Sequence, residues 1–362
     1  MPNDTKFWVA FSRIYSLGPQ KFKLLYAHFP SMEAAWQASG AELKAAGLGQ
    51  KDVEKILTER CKINPEAEWE DLTKKGIRVI TIHHQEYPAL LKEIHSAPAL
   101  LYVKGKLPEN FNLSLAVVGT RKTTAYGRQI APEITGEISR AGLIIISGLA
   151  LGIDALAHQA ALDAGQKTVA VLGCGLDRIY PVTNRSLGEE IVKNDGALIS
   201  EYPPGTEPLK QHFPARNRII SGLAKGVLVI EGGEDSGSLI TARFALDQNR
   251  EIFAVPGNIS SQTASGPNNL IKMGAHVVTS ARDILDVFDL RLAQLYEENK
   301  KVIGSTEEEK ILLQFLSHEP LHIDELIKRS KLKTSIANSA ITMMEMKGMI
   351  RHQGGAYYTL AS

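Results

Sequence analysis

The sequence predicts an α/β protein, with a mostly parallel sheet between a small helical domain and a C-terminal unit of helices and a hairpin. Three observations predict this order. Residues 1–75 show helical patterns, and short apolar, β-branched segments alternate with helical patterns between residues 114 and 287. Residues 306–362 show three helical patterns followed by a hairpin pattern. Alternating strands and helices produce a mostly parallel sheet with helices on both faces.

Composition limits the classes of function. A chain of 362 residues is long enough for two or three domains. The net charge of +1 excludes a surface that is basic throughout, so any nucleic-acid site must be a local patch. The two cysteines, Cys61 and Cys174, lie far apart without metal-ligand spacing. This spacing predicts neither a disulfide framework nor a metal site.

The N-terminal residues lack a basic segment followed by an apolar one, so we expect no signal peptide. No apolar run approaches the length of a membrane span. These patterns predict a cytoplasmic protein that does not contact the membrane.

Four segments are predicted along the chain. The helical domain covers residues 1–75, the sheet domain residues 76–288, a charged linker residues 289–305, and the C-terminal unit residues 306–362. In the first segment, Gly-containing turns at 16–18 and 46–49 each precede a helical pattern. Such units resemble helix-hairpin-helix modules, whose turn amides can hold a nucleic-acid backbone. A small helical packing domain is the alternative, because Gly also simply ends helices.

Seven strands are predicted in the middle segment. They cover residues 115–118, 143–146, 168–172, 197–200, 227–230, 252–255 and 277–279. Five of them end in Gly-containing turns. Because ligands of such sheets bind at the carboxyl ends of the strands, we expect one shared crevice there.

The residues at these strand ends suit a polyanion. Arginines provide forked donors that match phosphate, and helix N-termini hold anions through backbone N–H groups and the helix dipole. The candidate DNA- or phosphate-binding residues are Gly119, Thr120, Arg121, Ser147, Gly148, Asn184, Arg185, Arg216, Asn217, Arg218, Ser236, Gly237 and Ser238.

Other ligands fit the sequence less well. The turn after residue 118 lacks dinucleotide spacing, and the turn at 173–175 lacks a Walker lysine, so no cofactor is predicted. No catalytic constellation is apparent. Asp154 can cap the next helix. Glu201 and Glu231 could act as acid or base, or could pair with Arg216 or Arg218.

The C-terminal pattern predicts a winged helix, a relative of the helix-turn-helix. Its third helical pattern, residues 335–347, carries few basic side chains. We therefore place a protein contact slightly ahead of base readout for this unit, and both remain open.

A dimer contact is predicted near the end of the sheet domain, at Leu270, Ile271 and Val277. If the last strand lies at the sheet edge, this apolar surface needs a cover, and a second copy commonly provides one. Ordinary core packing is the alternative.

The middle segment resembles the DNA-processing protein A family, which has a Rossmann-like fold. The matching pieces are VGTR at 118–121, SG at 147–148, GID at 152–154, GLD at 175–177, YP at 180–181 with Asn184, SEY at 200–202, FPARNRII at 213–220, SGSLIT at 236–241 and VPG at 255–257. Thr120 stands where many members carry Ser. The resemblance implies a homodimeric single-stranded DNA-binding protein, not known as an enzyme. It implies that the protein protects incoming DNA and loads the RecA recombinase in natural transformation and homologous recombination.

An enzyme is the alternative. Nucleotide N-glycosidases of the phosphoribohydrolase group use a Gly-rich loop that the residues around Gly232 and Gly237 resemble. Ile240 and Thr241 stand where we would look for the catalytic glutamates. Without a carboxylate there, no group is obviously placed to activate water.

Overall fold

The structure is a computed structural model that describes residues 2–288, 306–317, 320–346, 349–352 and 354–360. The chain divides into two compact units, residues 1–292 and 293–362. The predicted linker, residues 289–305, lies outside the described residues.

The first unit begins with six helices. They are α1 (Pro2–Ser12), α2 (Pro19–His28), α3 (Met32–Gln37), α4 (Gly40–Ala45), α5 (Gln50–Arg60) and α6 (Pro65–Lys74). The two Gly-containing turns precede α2 and α5, as predicted. Side-chain caps define other helix starts: Ser31 accepts from Ala34 N–H, and Ser39 forms a capping box with Glu42.

A nine-stranded sheet follows. Its strands are β1 (Arg78–Thr81), β2 (Leu100–Gly105), β3 (Ser114–Val118), β4 (Ile144–Ser147), β5 (Thr168–Val171), β6 (Ala197–Ser200), β7 (Gly226–Val229), β8 (Glu251–Ala254) and β9 (His276–Val277). The spatial order is β1-β2-β6-β5-β4-β3-β7-β8-β9. In this spatial order, the seven neighbouring strands that begin with β6 and end with β9 pair in parallel. Strand β2 pairs antiparallel with β6, and β1 pairs antiparallel with β2 at the edge. The mostly parallel sheet is confirmed, whereas β2 was not predicted.

Helices form most of the connections between these strands. They are α7 (Ala89–Lys92), α8 (Ala125–Arg140), α9 (Ile153–Asp163), α10 (Arg185–Lys193), α11 (His212–Leu223), α12 (Gly237–Asp247), α13 (Ser265–Lys272) and α14 (Ala281–Phe288). The sequence analysis did not predict α11, which contains the Arg-Asn-Arg triplet.

Strand β3 lies at the topological switch point. Its neighbours are β4 on one side and β7 on the other. The loops that leave β3, β4 and β7 therefore diverge at their carboxyl ends and open a crevice between them. This is the edge where the sequence predicted a shared ligand site.

The helical segment packs directly on the sheet. One apolar core contains residues of both, among them Phe11, Leu25, Tyr102 and Val169. The Tyr102 hydroxyl is hydrogen-bonded to Ser12 Oγ of α1 at 2.6 Å. The division of this unit into a helical and a sheet domain stays a prediction.

The second unit has its own core. It contains α15 (Glu307–Leu313), β10 (Leu321–His322), α16 (Ile323–Ser330), α17 (Thr334–Met346), β11 (Ile350–His352) and β12 (Tyr357–Leu360). The strands form a small antiparallel sheet in the order β10-β12-β11. Leu312, Leu326, Ile341 and Met344 are buried beneath it. The three helices and the hairpin are confirmed, and β10 is an additional strand.

Across the described ranges, no helix is both long enough and apolar enough to cross a membrane.

Candidate nucleic-acid interface

The loop between β3 and α8 forms one wall of the crevice. A Cβ at Gly119 would lie 2.5 Å from Ile153 Cγ1, so only glycine permits this approach of α9. Thr120 N–H donates to the Glu231 carbonyl at 2.7 Å, which fixes the loop. Arg121 follows and is exposed. Among the described residues, Arg121 forms no salt bridge, so its guanidinium is free to meet a ligand.

Glu231 supports the start of α8. Its buried carboxylate accepts from Thr124 N–H at 3.1 Å and from the Thr124 hydroxyl. The Thr124 side chain in turn accepts from Gly127 N–H at 3.2 Å. A Cβ at Gly127 would lie 2.1 Å from the Glu231 carboxylate. Glu231 thus braces the β3–α8 loop, and the alternative pairing with an α11 arginine is wrong for this residue.

The loop between β4 and α9 is held from below. Ser147 Oγ is buried and donates to the Val117 carbonyl at 2.6 Å, so this hydroxyl faces the sheet interior. Gly148 N–H donates to Asp154 Oδ2 at 3.1 Å, and its carbonyl accepts from Arg216 Nη1 at 2.8 Å. A Cβ at Gly148 would lie 2.7 Å from that guanidinium. The N–H and the carbonyl of Gly148 are therefore each held by a buried charged side chain.

A cap of the following helix was one of two interpretations open for Asp154. Instead its Oδ2 accepts from Gly148 N–H and, at 3.4 Å, from Ala150 N–H, both in the preceding loop. Burial raises the pKa of Asp154, and the charge of Arg216 opposes this. The interpretation as a simple cap is wrong, because the carboxylate holds the loop that leads into the helix.

Arg216 lies at the bottom of the crevice with 4% of its surface exposed. Its Nη1 donates to the carbonyls of Gly148 and Val171, which joins the ends of two neighbouring strands. Burial lowers the pKa of Arg216 to about 10, so the side chain remains a cation at neutral pH. Its buried donors serve the protein itself.

The other two residues of the triplet point elsewhere. Asn217 Nδ2 donates to the Gly237 carbonyl at 3.2 Å, which ties α11 to the start of α12. Arg218 forms a largely buried ion pair with Glu201. The predicted pairing of Glu201 with one of these arginines is confirmed. Successive residues of a helix project in different directions, which explains the three different surroundings.

The N-terminus of α12 is the second predicted anion site. Ser236 Oγ accepts from Ser238 N–H at 3.4 Å, and Gly237 is exposed with open space around it. Two exposed acids, Glu234 and Asp235, directly precede this helix start. Their charges oppose an incoming phosphate. The β3–α8 loop, with Arg121, is therefore the more favourable of the two anion sites.

Asn184 and Arg185 lie beside the crevice at the start of α10. Asn184 Nδ2 donates to the carbonyls of Leu149 and Ala150 at 2.9 and 3.1 Å, so this amide supports the β4–α9 loop. Arg185 is exposed and pairs with Glu189 at 2.8 Å. Exposed pairs of this kind contribute little, so a phosphate could compete for the guanidinium.

Phe213 is a site residue that the sequence analysis missed. The Arg121 Cζ lies 5.5 Å from the centre of its ring, and the Arg216 Cζ lies 6.0 Å from it. The ring of Tyr180, which is exposed, lies 5.6 Å away at 32°. The half-buried Phe213 ring and the exposed Tyr180 ring, beside a guanidinium that forms no salt bridge with any described residue, suit a stacked nucleobase. The signal was available, because Phe213 lies three residues before Arg216 in the same motif.

We call two layers of this site the rim and the floor. The rim consists of Gly119, Thr120, Arg121, Tyr180 and Phe213. The floor consists of Ser147, Gly148, Asp154 and Arg216. The structure brings these two layers together and places Arg218 outside both.

The predicted dimer residues lie at the opposite edge of the sheet from β1. Strand β9 is the edge strand, and Val277 in it is 45% exposed. Leu270 and Ile271 are half-buried on α13. The last strand therefore lies at the sheet edge, which was the condition for the predicted dimer contact.

Comparison with known proteins identifies the family. A sequence model of DNA recombination-mediator protein A matches residues 78–289, and a model of the DprA winged helix domain matches residues 298–356. Protein Smf of Synechocystis is 34% identical over 393 aligned positions, which cover 98% of each chain. The DNA processing protein DprA of Bacillus subtilis is 46% identical over 225 positions, which cover 62% of this chain and 75% of that one.

Solved structures agree. The X-ray structure of DNA processing protein A from Streptococcus pneumoniae superposes with a TM-score of 0.68 at 36% identity, over 79% of this chain and 98% of that one. A Helicobacter pylori DNA processing protein A, described for its single-stranded DNA binding mode, superposes with a TM-score of 0.51 at 28% identity, over 60% and 99%. The resemblance seen in the motifs is thereby confirmed, and the chain belongs to the DNA recombination-mediator protein A family.

Proposed function

We propose that this protein binds single-stranded DNA in the crevice, with little preference for sequence. The observation that carries the proposal is the rim, where the Arg121 guanidinium, which forms no salt bridge within the described ranges, lies over the Phe213 ring, and Tyr180 packs against that ring. A phosphate meets the Arg121 guanidinium, while a base stacks on the rings. Backbone contacts and stacking are independent of sequence, since every base has a π-face.

The floor prepares the rim for this ligand. Arg216 and Asp154 hold the Gly148 peptide from both sides, and Glu231 holds the start of α8. These contacts fix the loops before DNA arrives. Binding to fixed loops avoids the entropy cost of ordering them.

Partners follow from the family. The family is named for mediating recombination, and the Helicobacter pylori relative is described with single-stranded DNA. We propose that the protein protects an incoming strand in the cytoplasm and loads the RecA recombinase onto it, in natural transformation and homologous recombination. Co-precipitation of RecA with the full chain, with and without a single strand, tests this partner.

We also propose that the crevice binds without catalysis. The Glu231 carboxylate is occupied by Thr124, and the Glu201 carboxylate by Arg218. Neither is positioned as a free base. Incubation of the protein with nucleoside monophosphates, followed by chromatography for released base, tests this; release at enzymatic rates would overturn it.

The direct test of DNA binding is fluorescence anisotropy with two unrelated single strands and a blunt duplex. Phe213→Ala removes the stacking ring, whereas Phe213→Tyr keeps it as a matched control. We expect the alanine variant to lose about tenfold in affinity for both strands, within the about 1–3 kcal/mol known for base–aromatic stacking. Wild type that binds neither strand, or a folded alanine variant with wild-type affinity, would overturn the proposal.

A homodimer through the β9 edge is the remaining proposal. A symmetric partner covers the exposed edge strand and places two crevices on one strand of DNA, which strengthens binding without new contacts. Val277→Arg introduces like charges at such a contact, and Val277→Thr is the size-matched control. Sedimentation should show a dimer for wild type and a monomer for the arginine variant. A monomeric wild type at tens of micromolar would refute this contact.

A further inference from the structure

A second cleft lies next to the crevice, between the helical segment and the sheet. Its volume is about 480 Å³. One wall is the turn between α1 and α2, which includes Tyr15. The other wall consists of Tyr202, in the segment after β6, and His212, the first residue of α11. The phosphate and stacking contacts described for the crevice do not use this cleft.

The cleft wall is aromatic and ordered. Tyr202 stacks on His212 with ring centres 4.2 Å apart at 24°. The Tyr15 ring centre lies 6.1 Å from that of His212, and Tyr15 is 64% exposed. Gln211 Nε2 donates to the Tyr15 hydroxyl at 2.7 Å. A hydrogen bond therefore holds an exposed ring in place, so stacking a ligand on it costs little side-chain entropy.

The charges around the cleft are already paired. Arg13 binds Glu68 and the Pro204 carbonyl, and Glu201 binds Arg218. The cleft thus presents planar, neutral surface with hydrogen-bonding groups at its border. This chemistry suits a nucleobase better than a phosphate.

The cleft and the rim use neighbouring residues at the start of α11. His212 lines the cleft, and Phe213, the next residue, carries the rim platform. Their Cα atoms are about 3.8 Å apart, as for any consecutive pair. A single strand that binds at this end of α11 therefore lies near both the Phe213 ring and the cleft with Tyr15 and Tyr202.

We infer that the cleft holds a nucleobase of a single strand that extends beyond the crevice, stacked against Tyr15. The helical segment then belongs to the DNA-binding surface through an aromatic cleft. This inference rests on the proposed binding of single-stranded DNA in the crevice.

The test uses the full chain and oligonucleotides in which the fluorescent base 2-aminopurine is moved one position at a time. Four proteins are compared: wild type, Tyr15→Ala, Tyr15→Phe, and Leu24→Ala. Leu24 is an exposed residue of α2 that does not line the cleft. The phenylalanine variant keeps the ring and loses only the hydroxyl.

We expect two separate sets of quenched positions in wild type. Tyr15→Ala should lose the quenching of one set and about tenfold in affinity for long strands, and should keep the affinity for strands that fill only the crevice. Tyr15→Phe and Leu24→Ala should retain both sets. If Tyr15→Ala quenches and binds like wild type, the cleft inference is overturned while crevice binding stands. If wild type binds no single strand, the proposed function itself fails.

Discussion

Arg121 and Arg216 approach the same Phe213 ring from two layers of one crevice, and their surroundings are opposite. Arg121 in the rim is exposed and unpaired among the described residues. Arg216 in the floor is buried and donates to two carbonyls. The same residue type at one site therefore does two different tasks. The floor fixes the loops, and the rim remains open to the ligand.

This difference separates stability from binding. Floor substitutions should lower the free energy of unfolding, because they leave buried polar groups without partners. Substitutions of the exposed rim side chains Arg121 and Tyr180 should lower DNA affinity and leave stability nearly unchanged, because these side chains contact solvent. The predictions below break or sharpen this separation.

The largest effect on the free energy of unfolding is expected for Arg216→Met, which keeps much of the side-chain volume and removes the charge. The carbonyls of Gly148 and Val171 lose their donor, and buried Asp154 loses the opposing charge. Each buried acceptor that is left without a partner typically costs about 1–3 kcal/mol. Urea unfolding should show a loss of that size.

The double variant Arg216→Met with Asp154→Asn is the matched control, since it removes both charges. It should recover part of the lost stability. If Arg216→Met unfolds like wild type and yet binds DNA poorly, Arg216 belongs functionally to the rim, and the separation fails.

A pH effect is expected from His158 of α9, a buried residue beside the floor. Its Nδ1 is hydrogen-bonded to Thr168 Oγ1 at 2.7 Å. Burial lowers the pKa of His158 from 6.5 to about 3. The unfolded chain therefore takes up a proton below pH 6.5 that the folded chain refuses, so this stability is present above pH 6.5 and is lost as the pH falls towards 3.

His158→Gln isolates this contribution. Between pH 7 and pH 5, the unfolding free energy of wild type should fall about 2 kcal/mol more than that of the variant. Equal pH dependence of the two proteins would show that His158 is protonated in the folded chain as readily as in the unfolded one.

A smaller effect on binding is expected from removing the winged helix. Helix α17 has no Lys or Arg, and it exposes Ile336 and Met343, at 41% and 46%. Ending the chain after Gly304 should cost less than about tenfold in single-strand affinity, about 1.4 kcal/mol. A larger loss in an anisotropy titration would make this unit a principal DNA site.

The smallest effect is expected for Ser147→Ala. The variant removes the hydrogen bond to the Val117 carbonyl inside the sheet. We expect about 1 kcal/mol lower stability and unchanged DNA affinity. Ser147→Thr, which keeps the hydroxyl, controls for its loss. A change in affinity with unchanged stability would place this hydroxyl at the ligand.

The sequence predicted the architecture well because strand periodicity and Gly-containing turns are local signals. All seven predicted strands of the middle segment are found in the sheet. Strand β2 was missed because it precedes the alternating segment, which was predicted to begin at residue 114. Helix α11 was missed because its motif was interpreted as ligand chemistry.

The division into rim and floor could not be predicted from residue types. Burial of Arg216 depends on Gly148, whose missing Cβ leaves room for the guanidinium. The pairing of Arg218 with Glu201 joins residues that are 17 positions apart. Such contacts depend on which loops the switch point brings together. Phe213 had a local signal, an aromatic beside arginines, that the sequence analysis did not use.

The most direct test of the central claim is the salt dependence of single-strand binding for Arg121→Ala, measured together with its unfolding free energy. A lost phosphate contact should lower the log–log salt slope by about 0.7 and the affinity about tenfold at low salt. Stability should stay within about 0.5 kcal/mol of wild type. Unchanged affinity and slope in a folded variant would contradict the account, because Arg121 would then not be the rim's phosphate anchor.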